Sequence, residues 1–276
     1  MRIYNFSRVI ALPFVLWFAI ILYITMDTNN YDLSYWVIPP FVVIAVIFIM
    51  APQIDYWWLE RHPIPLDSDA KDWLNKYDPV YPKLTEEDKI KYDTRMFLFL
   101  AGKEFVAMGK KKESVPEDIK LAIAHMAIGM TINREDFLFK NVERFIVYKH
   151  PFPSPRYKFL HTVETHVEDG VMVFALEYLS AAIIDPSSYF HVGQLGFAEM
   201  FIKLNPSLEW EGIAHLGWAD VEKVTGFRKD QILGVLGFES YDILPVVLST
   251  YFSHREKFNA LYRKESVFLS SVFGFN

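Results

Sequence analysis

The chain has 276 residues, 52% hydrophobic and 17% aromatic, yet carries a net charge of −6. In residues 1–52 Arg2 and Arg8 balance Asp27 and Asp32, so the whole deficit lies in the remainder, which lacks the basic footprint that neutralising a phosphate backbone requires. No cysteine is present, which excludes disulfides, thiolate nucleophiles and cysteine-held zinc or iron–sulfur sites.

Val9 to Met26 run without a charge, long enough as a helix to reach about 27 Å, near the thickness of a bilayer's hydrocarbon core. A second uncharged run extends from Leu33 to Ile54, with Pro39 and Pro40 near its start, where missing amide donors cost least. Residues 1–52 therefore read as a transmembrane hairpin with spans at about 9–26 and 35–52. Trp17, Tyr35, Trp36, Tyr56, Trp57 and Trp58 supply candidate interface anchors. Arg2 and Arg8 precede the first span, the loop DTNNYDLS has no Lys or Arg, and basic residues resume at Arg61. The positive-inside rule then puts the N-terminus and the large domain in the cytoplasm.

Residues 53–80 form a connector broken by Pro63, Pro65 and Pro79. Its amphipathic piece either lies on the bilayer through Trp57, Trp58 and Trp73 or packs as an ordered linker on the following domain. From 81 to 276 the periodicities alternate. LTEEDKIKYDTRMFLFLAGKEF reads as a helix capped by Thr85, and VPEDIKLAIAHMAIGMTI as a helix opening at Pro116. VERFIVYKHPF reads as a strand, FLHTVETHVEDGVMVFAL as a hairpin about Asp169–Gly170, and the chain from Gln194 onward as helical. The fold class is α+β, helix-rich with a small sheet, preceded by the two-helix hairpin. The run Lys110–Lys111–Lys112 reads as a solvated loop, with anionic lipid or an acidic partner as the alternative.

Nucleophile-elbow, P-loop and dinucleotide motifs are absent, which leaves histidines and carboxylates. His161, Glu164, His166 and Glu168 form the densest ligand-like cluster. On a regular strand residues five apart face opposite ways, so the two imidazoles are not expected to share a metal, and an exposed hairpin edge is the plain reading. His125 reads as a satisfied core histidine, His254 as surface, and His215 as a loop residue that is a candidate for lining a cleft.

The pieces FLFLAGKEFVAMG, VPEDIKLAIAHMAIGMTINREDF, VERFIVYKHPF, GVMVFALEYL, HVGQLGFAEMFIKL and YFSHREKFNALYRKESVFLSSVFGF, in this order, resemble the Mlc titration factor A family of zinc-dependent peptidases. The resemblance implies a zincin-like domain over 81–276 and a helical H-E-x-x-H, whose histidines bind zinc and whose glutamate activates water. Leu195–Gly196–Phe197–Ala198–Glu199 falls on that motif. Leu195 and Glu199 replace the histidines and Gly196 the general base, while Asp242 is the nearest match to the family's later acidic ligand.

The expectation is thus a peptidase scaffold with no catalytic residue, no metal and no other cofactor. It would be anchored as a multi-pass protein of a bacterial inner membrane and would bind protein, either a membrane complex or a soluble regulator, besides the lipid bilayer. The alternatives are a hydrolase built on His161, Glu164, His166 and Glu168, a cation site across Glu199, Asp242 and His215, and a structural subunit of a membrane assembly. On the same resemblance, Leu195→His, Gly196→Glu and Glu199→His together would restore zinc binding.

Overall fold

The computed structural model describes residues 5–28, 31–109 and 114–275 and divides the chain into two units, Met1–Ile64 and Pro65–Asn276. In the first, α1 (Phe6–Thr28) packs beside a 3₁₀ stretch (Tyr31–Val37) that runs into α2 (Ile38–Ile49). Among the described residues two segments, Phe6–Thr28 and Asp32–Ile49, are long and apolar enough to cross a membrane. Their side chains are turned outward, Leu16 and Phe41 among them. That is the arrangement an apolar solvent permits and water penalises.

The second apolar segment stops at Ile49, short of the expected 52. Met50 leaves the helical region, and Ala51 opens α3 (Ala51–Arg61) with Pro52 in its first turn, where the lost donor costs nothing. Asp55 on α3 accepts from the Ser7 amide at 2.7 Å and its hydroxyl at 3.0 Å, tying the start of α1 to α3. Phe6 stacks on Trp58 and Trp58 on His62, so Trp58 is spent on packing inside this unit while Trp57 stays half exposed.

The second unit opens with α4 (Ser68–Tyr77), capped by Asp67, which accepts from the Ala70 amide at 2.9 Å. Trp73 lies edge-on to His125 of the same unit, 5.5 Å between centroids, and Leu74 is buried. Of the two expectations for the connector's amphipathic piece, packing on the domain holds for α4.

Thr85 caps α5 (Glu86–Gly102) through the Asp88 amide, as its sequence implies. The helix stops earlier than expected, because Lys103 turns to extended backbone and EFVAM becomes β1 (Glu104–Met108). The run Lys110–Lys111–Lys112 lies outside the described residues. Buried on almost every side, α6 (Glu117–Thr131) runs through the core.

β2 (Arg144–Tyr148), β3 (Val163–His166) and β4 (Val171–Ala175) complete a four-stranded sheet in the order β1-β2-β4-β3, with β3 antiparallel to β4 and the other pairs parallel. The turn between β3 and β4 uses Gly170 at φ +64°, where a Cβ would meet the Asn141 carbonyl at 2.7 Å. Directly after β4 the chain enters α7 (Leu176–Ile184), which period-2 reading of GVMVFAL had not separated from the strand. There follow α8 (Val192–Leu204), α9 (Trp218–Thr225), α10 (Lys229–Leu236), α11 (Ile243–Ser253), α12 (Arg255–Leu261) and α13 (Arg263–Phe273). α8 packs most closely on α11 and β3, with α6, α7 and β4 also against it, and that placement defines the site.

Candidate functional site

Between α8, the edge strand β3, the 156–157 loop and residues 238–242 lies a cavity of about 290 Å³. Glu164, Thr165, Glu199, Lys203, Tyr241 and Asp242 face it. The structure thus brings Glu164 into one cleft with two of the motif positions, Glu199 and Asp242, which sequence distance had kept apart.

The other two motif positions are sealed in the core. Leu195 has no exposed surface, and Gly196 packs where β3 and β4 meet α8. A Cβ at 196 would come within 2.8 Å of Phe174 Cε1 and 2.9 Å of Val163 Cγ2, well inside the ordinary carbon–carbon separation of about 3.5–4.0 Å. No space exists for the glutamate that would activate water.

Glu199 is reserved by its neighbours. Thr165 donates to its Oε2 at 2.8 Å, Lys203 Nζ stands 3.0 Å from Oε1, and the same ammonium reaches Thr165 Oγ1 at 2.8 Å. Burial, together with the Glu199 carboxylate that its hydroxyl bonds, pushes the Tyr241 phenol well above its usual range. A cation supplied by the chain itself, one helical turn on from Glu199, neutralises that carboxylate. Asp242 is exposed and caps α11, accepting from the Leu244 amide at 3.1 Å. The donor set here does not fit zinc, which takes imidazole, thiolate or free carboxylate ligands about 2.0–2.3 Å away. Among the described residues, no group of three or more histidine, aspartate or glutamate side chains is placed to hold a metal ion.

The histidine cluster is not the exposed edge its sequence suggested. His161 has no exposed surface and the Glu164 side chain almost none. The alternation argument fails because His161 precedes the regular strand. It sits in an isolated bridge with Phe152, pinned by mutual backbone bonds of 3.0 and 3.1 Å, and Thr162 bends before β3 begins. Gly237, at φ +81°, closes α10 directly against the Leu160 carbonyl, an approach no side chain would permit.

His161 and His166 consequently reach the same carboxylate, with Nε2 distances to Glu164 of 3.1 and 3.0 Å. Both ring nitrogens of His161 face oxygen, Nδ1 meeting the Phe159 carbonyl at 3.0 Å, so a proton is shared between Nε2 and Glu164. Four aromatic rings, of Phe152, Tyr157, Phe159 and Phe238, surround the imidazole. With both nitrogens occupied, His161 has no lone pair for a metal or a substrate proton. Glu168 stays outside this network, in the turn after β3.

His215 is mostly exposed and pairs with Glu265 at 3.0 Å; it does not line the cavity. His254 is half-buried and not a surface residue: its Nδ1 lies 3.0 Å from Ser253 Oγ, and burial followed by Lys257 lowers its pKa. His125 is a core histidine, but Nε2 is buried without a partner, so it is not satisfied. Two residues escaped the sequence reading. Lys203 was signalled by its Glu→Lys spacing of four on a helix. Asp78 was signalled by Asp78–Pro79, a turn dipeptide whose carboxylate accepts from the Val80 amide at 2.7 Å.

No curated protein matches the chain. A family model does, that of the glucose-regulated metallopeptidase M90, over residues 54–173. The match begins in α3, earlier than the pieces quoted from the sequence, and ends in β4, before α8 and residues 195–199 are reached. Residues 54–173 are thus similar to the glucose-regulated metallopeptidase M90 family, in keeping with the likeness to Mlc titration factor A.

Proposed function

We propose that this protein is a membrane-anchored, catalytically inactive member of its peptidase family that binds polypeptide at the cytoplasmic face. The observation that carries the reading is the content of the motif helix: Leu195 is core, Gly196 has no room for a side chain, and Glu199 is neutralised by Lys203. Neither the ligands for zinc nor a base for water is present where the family keeps them.

Binding is supported by what remains. β3 lies at the edge of the sheet, beside the 290 Å³ cleft, and an edge strand presents backbone donors and acceptors to an extended chain. Arg156, Lys203, Glu199 and Asp242 all line the cleft, so it offers both signs of charge to a peptide. Anchoring is supported by the two outward-facing apolar segments, and the cytoplasmic orientation by the placement of Arg2, Arg8 and Arg61 about them. The partner on this reading is a membrane complex or a soluble regulator captured at the bilayer.

The test uses the full chain in lipid nanodiscs with a fluorescent unstructured peptide and added zinc. The expected result is saturable binding with no cleavage. Cleavage that a chelator abolishes would overturn the reading.

A further inference from the structure

A second cavity, of about 440 Å³, lies in the Pro65–Asn276 unit at the other end of α8. Its size suits a small organic molecule. Part of its wall is apolar, from Met126, Ala182, Ile183 and Phe252. The remainder is polar and unusually short of partners. His125 and Gln194, each 7% exposed, contribute Nε2 atoms that are buried and make no hydrogen bond. Buried polar atoms left unpaired are costly, and a ligand acceptor that reached them would remove the cost.

The neighbouring groups define what that ligand carries. His191 Nδ1 accepts from the Gln194 amide at 3.4 Å, so its proton sits on Nε2 as a further donor. Burial, with His125 and His254 nearby, holds the His191 pKa down to about 3, which keeps that ring neutral. His125 Nδ1 faces Asp78 at 3.6 Å. The Asp78 carboxylate is itself occupied by the Tyr92 hydroxyl and the Val80 and Tyr81 amides.

Lys76 and Arg255 also line the wall. Lys76 lies over the Tyr77 ring and Arg255 over Phe275, and among the described residues neither pairs with a carboxylate. Three of the first four backbone amides of α8 are already used: Val192 bonds the Phe190 carbonyl, Gln194 the His191 ring and Leu195 the His191 carbonyl. That leaves at most the Gly193 amide, short of the several amides a phosphate cradle uses, and a few side-chain donors beside an apolar wall.

We propose that this cavity binds a small organic carboxylate with a short apolar body, its head on Gln194, His125 and His191 and its charge answered by Lys76 and Arg255. The site holds whether or not the β3 cleft binds polypeptide.

The test is calorimetric titration of the full chain in nanodiscs with acetate, butyrate, hexanoate, hexanol and inorganic phosphate. A tetrapeptide with an apolar free C-terminus and its amidated twin are added to the series. Butyrate or hexanoate should bind saturably, hexanol and phosphate at least roughly tenfold more weakly, the loss expected for a charged hydrogen-bonded head. Binding of hexanoate assigns the site to a free metabolite. Binding of the free-acid peptide, without hexanoate, assigns it to a chain terminus; either result upholds the carboxylate. Gln194→Leu should weaken binding by roughly tenfold, and so should Lys76→Gln, which sits on the exposed wall and leaves the core untouched. No carboxylate bound, hexanol or phosphate bound as well as hexanoate, or affinity unchanged in Lys76→Gln would each overturn the proposal.

Discussion

The absence of room at Gly196 makes a quantitative prediction. In Gly196→Ala the new methyl stands 2.8 Å from Phe174 Cε1 and 2.9 Å from Val163 Cγ2. Phe174 is entirely buried and Val163 nearly so, so neither retreats into open space. Overpacking of this kind costs about 1–3 kcal/mol. Against it stands the helical preference for alanine over glycine, about 0.8–1 kcal/mol.

Gly234, inside α10, separates the two effects, because a Cβ there meets nothing within 4 Å and the site is exposed. Gly234→Ala keeps only the helical gain. The difference between the variants is therefore the overlap alone, about 1–3 kcal/mol. For a unit the size of Pro65–Asn276 that separates their melting temperatures by roughly 2–12 °C. Thermal unfolding followed by far-UV circular dichroism measures it. Gly196→Glu adds an unpaired carboxylate in the same space and should fall further, by more than about 3 kcal/mol. Equal melting temperatures for the two alanine variants would refute the packing argument. The triple replacement that restores H-E-x-x-H should accordingly fail to fold rather than gain zinc.

Three further outcomes follow from the same geometry. Glu164→Ala leaves buried His161 without its acidic partner and should cost about 3–5 kcal/mol in denaturant titrations; a loss under about 1 kcal/mol would mean the pair is not buried as described. Gly170→Ala, strained by its positive φ and by the Asn141 carbonyl, should lose at least about 1 kcal/mol in the same measurement. Because His191 titrates near 3 when folded and near 6.5 when unfolded, the unfolded state binds more protons between those values. Stability should thus be complete above pH 6.5 and decline on acidification, by no more than about 1.4 kcal/mol per pH unit from this group. His254, also lowered, acts in the same direction. His191→Asn retains a capping side chain and should flatten the decline between pH 6.5 and 5; an unchanged slope would contradict the assignment.

The helix starts at Thr85 and Pro116, the hairpin about Gly170 and the two apolar segments were all legible, because each depends on local chemistry: a capping hydroxyl, a fixed φ, a turn glycine, an uncharged run. β1 was not, since EFVAM continues a helical run and becomes a strand only by pairing with β2, whose residues lie far along the chain. The spelling Leu195–Gly196–Phe197–Ala198–Glu199, which the resemblance sets against the family's motif, was plain in the sequence. Its consequence was not, because the obstacle at Gly196 comes from Phe174 and Val163 on other elements. The His161–Glu164–His166 contact was misread for a related reason. Strand alternation holds only inside the ladder, and His161 stands one bend outside it. Lys203 was within reach, four residues after Glu199, had the helix surface been read for charge pairs as well as for ligands.

Elemental analysis of the purified full chain, after incubation with zinc and removal of the unbound ion, tests the central claim most directly. A motif helix with Leu195 in the core and Glu199 held by Lys203 predicts zinc far below one ion per chain, unchanged in Glu199→Gln. One zinc per chain, lost in Glu199→Gln, would contradict the inactive-scaffold account and place a working metal centre in the β3 cleft.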